Sequence, residues 1–431
     1  MPFHSTTLLA LVGVLVVLHW LSPWQRARLG LLLAGSFLVY AWRHPPSLLL
    51  LVGSIAFNYA WGRLLEKRPS KPLLAFGVAA NLSSLLYFKY GNFPHPTAWM
   101  PLGISFFTFQ VIAYLVDVYR KEIPAERDVL VFAVFKSFFA QLVAGPIVRG
   151  RDFLPQLREK RALDWSQLHA GLVLVLAGLF LKVGVADLLA QHVDHAWADP
   201  SGLATNAAWF AMYGYAAQLL ADFCGYSTMA VGFGLLFGLT LPPNFANPYG
   251  AESLREFWRR WHITLSTWLR DYLYIPLGGN RRRPEANRLI TMTLGGLWHG
   301  AGWNFILWGF LHGAWMWLEQ RLPKLPRAAG ILVTFHVVAL LWVPFRAPSL
   351  SAALDFGRRL FAPPYSWQTS VATQFLVVTF AFLLLQPAWF RAFPLEKRAA
   401  PLRFERVLAA AMIVWLLGYG SARLDFIYFV F

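Results

Sequence analysis

Three of the eleven histidines in this 431-residue chain, His299, His312 and His336, lie in stretches apolar enough to enter a bilayer. An ionised side chain at membrane depth costs roughly 2.5 kcal/mol or more, so a titratable group there is a functional candidate by default. Neutral imidazole lowers that cost and still accepts a proton near pH 7. His299 sits in GGLWHGAGW, where glycines at 295, 296, 300 and 302 leave the backbone thinly covered. Small residues at this spacing admit a neighbouring helix, or a thin substrate, at close range. The chemistry this suggests is general-base activation of a hydroxyl. The plainer alternative is close helix packing around a hydrogen-bonded structural histidine.

His312 follows thirteen residues later. On an unbroken helix that is about 20 Å, too far for the two to share a proton, so His312 is expected to be structural. His336, in ILVTFHVVALLWVPFRA, would face His299 across two antiparallel helices, one imidazole acting as base and the other as orienter. Its alternative is a solitary core histidine bonded to a backbone carbonyl. Asp222 opens DFCGYSTMAVG after an apolar run. A carboxylate there needs a partner, expected to be a nearby Arg, Tyr or backbone donor. Cys224 is the single cysteine, so no intrachain disulfide forms and a cysteine metal cluster is not expected. The chain has no G-x-S-x-G elbow, P-loop or dinucleotide fingerprint.

These residues must be held by membrane helices. The chain is 57% hydrophobic and only 14% charged, with mean hydropathy +0.48, a balance foreign to soluble domains. Apolar runs near 5–23, 27–43, 46–63, 72–90, 129–147, 167–190, 205–222, 289–318, 328–345, 373–391 and 405–422 approach the ~20 residues that cross a hydrocarbon core. No barrel-like alternation appears, so the expected fold is all-α: a polytopic bundle of about eleven spans forming one integral-membrane domain over 1–431. The first run lacks a basic n-region and a clear cleavage site, and is read as a retained span. Pro101 to Val118, after the polar loop GNFPHPTAWMP, is expected to be re-entrant. ESLREFWRRWHITLSTWLRDYLYI interleaves aromatics with Arg255, Arg259, Arg260 and Arg270, as an interfacial helix does.

The net charge of +17 is concentrated in short loops: Arg26 and Arg28; Arg63, Lys67, Arg68 and Lys71; Arg149 to Arg161; Arg281 to Arg288. The positive-inside rule accounts for this and puts the N-terminus outside the cytoplasm. Phosphate binding by some of these groups is compatible with it. No basic–aromatic surface repeat points to nucleic acid.

YFKYGNF, PLGISFFTFQVIAYLVDVYR, QLVAGPIVR, DFCGYSTMAVGFGLLFGL, NFANPY, FWRRWHITLSTWLRDYLYIPLGGNR, GGLWHGAGWNFILWGFLHG and the closing FIYFVF, in this order, resemble the membrane-bound O-acyltransferase family. The similarity is to its bacterial branch that O-acetylates exported polysaccharides, and it covers most of the chain. One departure is Thr228, where that branch usually carries aspartate.

The resemblance implies an acetyl group taken from cytoplasmic acetyl-CoA, with no bound cofactor or metal, and passed across the bacterial inner membrane towards a polysaccharide, with a periplasmic transferase as partner. It makes His299 the leading catalytic residue and His336 the counterpart of a second intramembrane histidine in D-alanylating relatives. On this reading Trp298, Asn304 or a backbone N–H would polarise the thioester carbonyl. Arg259, Arg260 and Arg281 would hold the CoA phosphates, with Asp222 and His312 in support. Two other classes fit the histidines: a transporter with a histidine proton relay, which would move substrate without consuming acyl-CoA, and a b-type haem protein, which would show a Soret band.

Overall fold

The long apolar runs fold as helices because lipid offers no partner to backbone N–H and C=O groups, and a helix pairs them internally. The computed structural model describes residues 3–42, 44–91, 101–142, 145–363, 373–393 and 405–419, and no strand occurs among them. Most of the polar loop before Pro101, Val143 and Ala144 of QLVAGPIVR, and the closing FIYFVF lie outside the described residues. Six helices are long and apolar enough to cross a membrane: Pro46–Lys67, Lys71–Tyr90, Trp165–Ala198, Thr205–Leu236, Arg327–Arg346 and Phe375–Ala392. Shorter apolar helices run over Thr6–Leu21, Ile104–Tyr119 and Leu408–Gly418. The architecture is that of an all-α, multi-pass membrane protein.

Several segments differ from the expected spans in ways that shape the site. The run expected at 289–318 is two helices, Pro284–His299 and Trp303–Glu319, folded back on each other. Gly300 and Gly302 take extended backbone between them (φ −165° and −152°). Glycine weakens a helix by about 1 kcal/mol per residue, and two of them flank one alanine here. Glycines also let the arms meet: a Cβ on Gly296 would strike the Phe305 carbonyl, and one on Gly309 the Met292 carbonyl. The run expected at 129–147 breaks at Phe138, between Val129–Ser137 and Phe139–Leu142.

The segment expected as one interfacial helix is Leu254–Arg260, Ile263–Leu269 and a π-turn, Arg270–Tyr274. Its break falls at His262, whose φ is +43°. Ile104–Tyr119, expected to be re-entrant, buries side chains all round its axis, as a helix enclosed by protein does.

The chain groups into two compact units. In the first, which holds Met1–Leu176 and Tyr226–Pro243, polar groups are paired inside the apolar packing. Asn58 and Asn81 exchange reciprocal amide hydrogen bonds (3.0 and 2.8 Å), and Arg158 grips the buried Glu126 at 2.6 Å. The second unit takes Ala177–Gly225, Asn244–Pro394 and Leu402–Phe431. His299, His312, His336, Trp298, Asn304, Asp222, Arg259, Arg260 and Arg281 all lie in it.

Candidate active site

His299 is the last residue of the hairpin's first arm and is 5% exposed. Three rings wall it nearly edge-on: Trp298 at 4.9 Å, Trp308 at 5.1 Å and Phe345 at 5.1 Å between centroids. Trp308 comes from the second arm and Phe345 from the following helix, Arg327–Arg346. The same fold-back brings His312 to this cage. Its ring lies 4.5 Å from Trp308, which therefore stands between the two imidazoles. The 20 Å separation of an unbroken helix does not apply. His312 Nδ1 donates to the Trp308 carbonyl at 2.9 Å. That fixes the tautomer and leaves Nε2 as a buried base atom without a hydrogen-bond partner among the described residues.

A residue that sequence reasoning did not single out completes the cluster. His262 is fully buried at the N-terminus of Ile263–Leu269, its ring 4.7 Å from Phe223 and 6.0 Å from Trp298. Left-handed backbone at a non-glycine residue stores about 1–3 kcal/mol and persists only where surroundings impose it. Here Asn244 imposes it, accepting from Ile263 N at 3.0 Å on its carbonyl and from Thr264 Oγ1 at 2.7 Å on its side chain. The available signal was a histidine inside a run of tryptophans and arginines, which reads as an interfacial aromatic.

Other expected residues are placed differently. Asn304 donates its amide hydrogens to Pro344 O (3.2 Å) and Ala347 O (2.9 Å). It ties the hairpin to the end of the next helix rather than offering a free donor. His336 does not meet His299. Its Nδ1 donates to Leu332 O of its own helix at 2.7 Å, and its ring packs on Tyr213 and Phe335. It lies nine residues before Phe345, about 13 Å along the helix. Asp222 is paired with Lys182 at 2.7 Å, a cation other than those expected. Arg260 is committed to Glu256 and to the carbonyls of Asn247 and Gly250. Arg281 is exposed in the turn before the hairpin.

Beside the aromatic cage opens a cavity of about 560 Å³. Arg255, Arg259, Arg270 and Arg288 line it with Trp258, Leu269, Met292 and Met316 among the apolar side chains. Arg270 is held by Asp271 at 2.7 Å. Arg255 and Arg259 make no ion pair among the described residues, and Arg288 buries Nη1 without a partner. Guanidinium groups left open around a cavity suit a phosphate-bearing ligand. Trp258, in the cavity wall, is 5.7 Å from Trp308 and 5.4 Å from His312. The buried indole N–H groups of Trp258 and Trp308 have no acceptor among the described residues. The arrangement joins unpaired guanidinium charge, buried indole N–H groups and imidazole rings within one unit.

Residues 73–347 match the family model for membrane-bound O-acyltransferases. The chain belongs to that family. It is therefore an O-acyltransferase, and the site above lies inside the matched region. This acyltransferase is 40% identical to the probable alginate O-acetylase AlgI of Azotobacter vinelandii, over 85% of this chain and 78% of the relative. It is 38% identical to the peptidoglycan O-acetyltransferase of Helicobacter pylori, over 76% and 72%. The teichoic acid D-alanyltransferase of Bacillus subtilis is 26% identical over 67% and 80%.

Proposed function

We propose that this acyltransferase takes an acetyl group from acetyl-CoA at the cytoplasmic face of the bacterial inner membrane and delivers it for O-acetylation of an exported polysaccharide, with a periplasmic transferase as partner. The observation that carries the reading is the arginine-lined cavity whose Trp258 wall abuts the cage around His299. Arg255, Arg259 and Arg288 hold the phosphates of CoA. The thioester end points to the imidazoles, and the Trp258 and Trp308 N–H groups stabilise its carbonyl oxygen as it gains charge.

His299 removes the proton from the attacking hydroxyl. The oxygen adds to the thioester carbon, the C–S bond breaks, and the proton passes to the departing thiolate, giving an ester and free CoA. His262, behind Trp298, positions the tryptophan that flanks His299. Support for acetyl as the group comes from the acetylating relatives; the D-alanylating relative supplies the second donor to test.

The test is donor consumption by the purified protein in proteoliposomes, using radiolabelled acetyl-CoA against a D-alanyl donor. Thiol release and label transfer with acetyl-CoA alone are expected, from the side on which residues 281–288 are labelled. Turnover with only the D-alanyl donor would redirect the assignment. Substrate movement without thiol release would favour a transporter.

A further inference from the structure

On the face of the hairpin's second arm away from Met316, an apolar slot of about 270 Å³ opens towards the Arg327–Arg346 helix. Leu311, Ala314, Trp315 and Leu318 form its near wall, at helical spacings that share one face. Val337 and Leu341 form the far wall. Ala314 is the small residue that leaves the space open. Apolar lining alone says only that lipid covers this face. Two further features say which lipid.

The first is charge at one end. Arg321 lies 4.0 Å over the ring of Trp317, a slot residue, and spends one N–H on the Trp317 carbonyl at 2.9 Å. Its other N–H groups have no partner among the described residues. The connection that follows, RLPKLPR, is exposed throughout and adds Lys324 and Arg327, the latter paired with Glu252 at 3.2 Å. Leu322 (48% exposed) and Leu325 (51%) alternate with these cations. Leucines between cations suit a segment pressed on lipid headgroups.

The second is a donor inside the slot. Trp315 lines it, and its indole N–H is buried with no acceptor among the described residues, so a ligand in the slot reaches it once the indole turns outward. An alkyl chain alone would leave that N–H unsatisfied, at a cost of about 1–3 kcal/mol. A ligand with an ester carbonyl beside its chain would satisfy it. Alkyl chain, ester carbonyl and phosphate, in that order towards Arg321, describe a phospholipid.

We propose that the slot between Trp303–Glu319 and Arg327–Arg346 seats one acyl chain of an anionic phospholipid of the surrounding bilayer, with its phosphate on Arg321 and the basic connection, and its ester carbonyl on Trp315. Trp308 and His312 lie on the stripe that continues through Leu311 and Trp315 of the same helix, so the bound lipid braces the hairpin that shapes the cage.

The test uses the full chain in nanodiscs of phosphatidylcholine doped with phosphatidylglycerol or phosphatidylcholine bearing a photoactivatable acyl chain, with cross-linked peptides read by mass spectrometry. Phosphatidylglycerol is expected to label residues 311–318 and 337–341 more strongly than phosphatidylcholine does. Arg321→Gln is expected to cut phosphatidylglycerol labelling about fivefold, the effect of one surface cation on an anionic lipid, and to reduce phosphatidylcholine labelling less, because its ammonium offsets the phosphate charge. Ala314→Leu should reduce both by filling the slot. Equal labelling by the two lipids, or indifference to Arg321→Gln, overturns the proposal. If Ala314→Leu impairs folding, the exposed Arg321→Gln variant decides alone.

Discussion

Two buried polar clusters of the second unit make opposite use of their burial. In one, Lys182 places its Nζ 2.7 Å from both Asp187 and Asp222, all three at most 2% exposed. The lysine enters through a π-helical stretch, Phe180–Ala186, which directs it towards the Thr205–Leu236 helix. Gly225 on that helix admits the close approach, since a Cβ there would meet the Gly178 carbonyl at 2.8 Å and Lys182 N at 3.0 Å. Charges here compensate one another, and removing one strands the rest. In the other cluster, His262, His299 and His312 are held by rings and backbone, and His312 Nε2 keeps an unused lone pair. A saturated cluster holds a fold together; one with spare acid–base capacity beside a cavity is equipped for chemistry.

The largest expected effect sets the clusters against each other directly. His299→Ala should lower turnover by about 10²–10⁴ while folded protein persists in the membrane. Lys182→Met should do the reverse, because two carboxylates lose their shared cation. A loss of about 3–5 kcal/mol in stability is expected, with near-normal specific activity in whatever fraction folds. Thermal unfolding in detergent alongside labelled acetyl-CoA turnover separates the two. A folded Lys182→Met protein that is inactive would move this cluster into the catalytic machinery.

The next effect probes the hairpin that sustains the comparison. Gly309→Ala adds a Cβ that collides with the Met292 carbonyl. Overpacking of this kind costs about 1–3 kcal/mol, and here it also spreads Trp308 from His299. Both stability and turnover should fall, whereas Gly357→Ala, with open space around its Cβ, should change neither.

How much of this was legible in the sequence follows from what each signal encodes. Hydropathy fixed the all-α membrane class, because backbone satisfaction in lipid admits little else. It did not reveal the break at residues 300–302, since Gly-Ala-Gly is as apolar as the helices around it. For the same reason the approach of His312 to the His299 cage was hidden. Asp222 was legible as a buried carboxylate, but Lys182, forty residues earlier, sits in an ordinary apolar run until a π-turn directs it inward. Asn304 looked like a free donor because the sequence does not show that Pro344 and Ala347 present carbonyls to it.

A smaller effect separates adjacent arginines. Arg259 lines the cavity without an ion pair, while Arg260 is bound to Glu256 and two carbonyls. Arg259→Gln should raise the donor KM about tenfold, as loss of a charge-assisted contact worth about 1.5 kcal/mol would, with insertion unaffected. Arg260→Gln should lower stability and leave KM unchanged. Higher salt should weaken donor binding by the wild type more than by Arg259→Gln. Equal KM values for the two variants would remove the distinction.

The smallest effect is expected at His336, and its smallness is informative. Both catalytic readings began from an imidazole in an apolar run, yet the two rings have different surroundings. His299 ends a helix beside glycines, in a cage whose Trp308 packs on the cavity-lining Trp258. His336 sits mid-helix, half-buried, its Nδ1 turned back on Leu332 O and its ring edge-on to Tyr213 at 5.7 Å. Such an i−4 back-bond is a local contact that water or a neighbouring side chain replaces at modest cost. His336→Ala should therefore lower turnover by less than about threefold, under about 1 kcal/mol, with the loss appearing as reduced thermal stability. His336→Gln, which keeps a hydrogen-bonding side chain, should recover most of it. Should His336→Ala instead match His299→Ala in turnover while staying folded, the pair acts as base and orienter after all, and the helix must shift by about two turns during the reaction to bring them together.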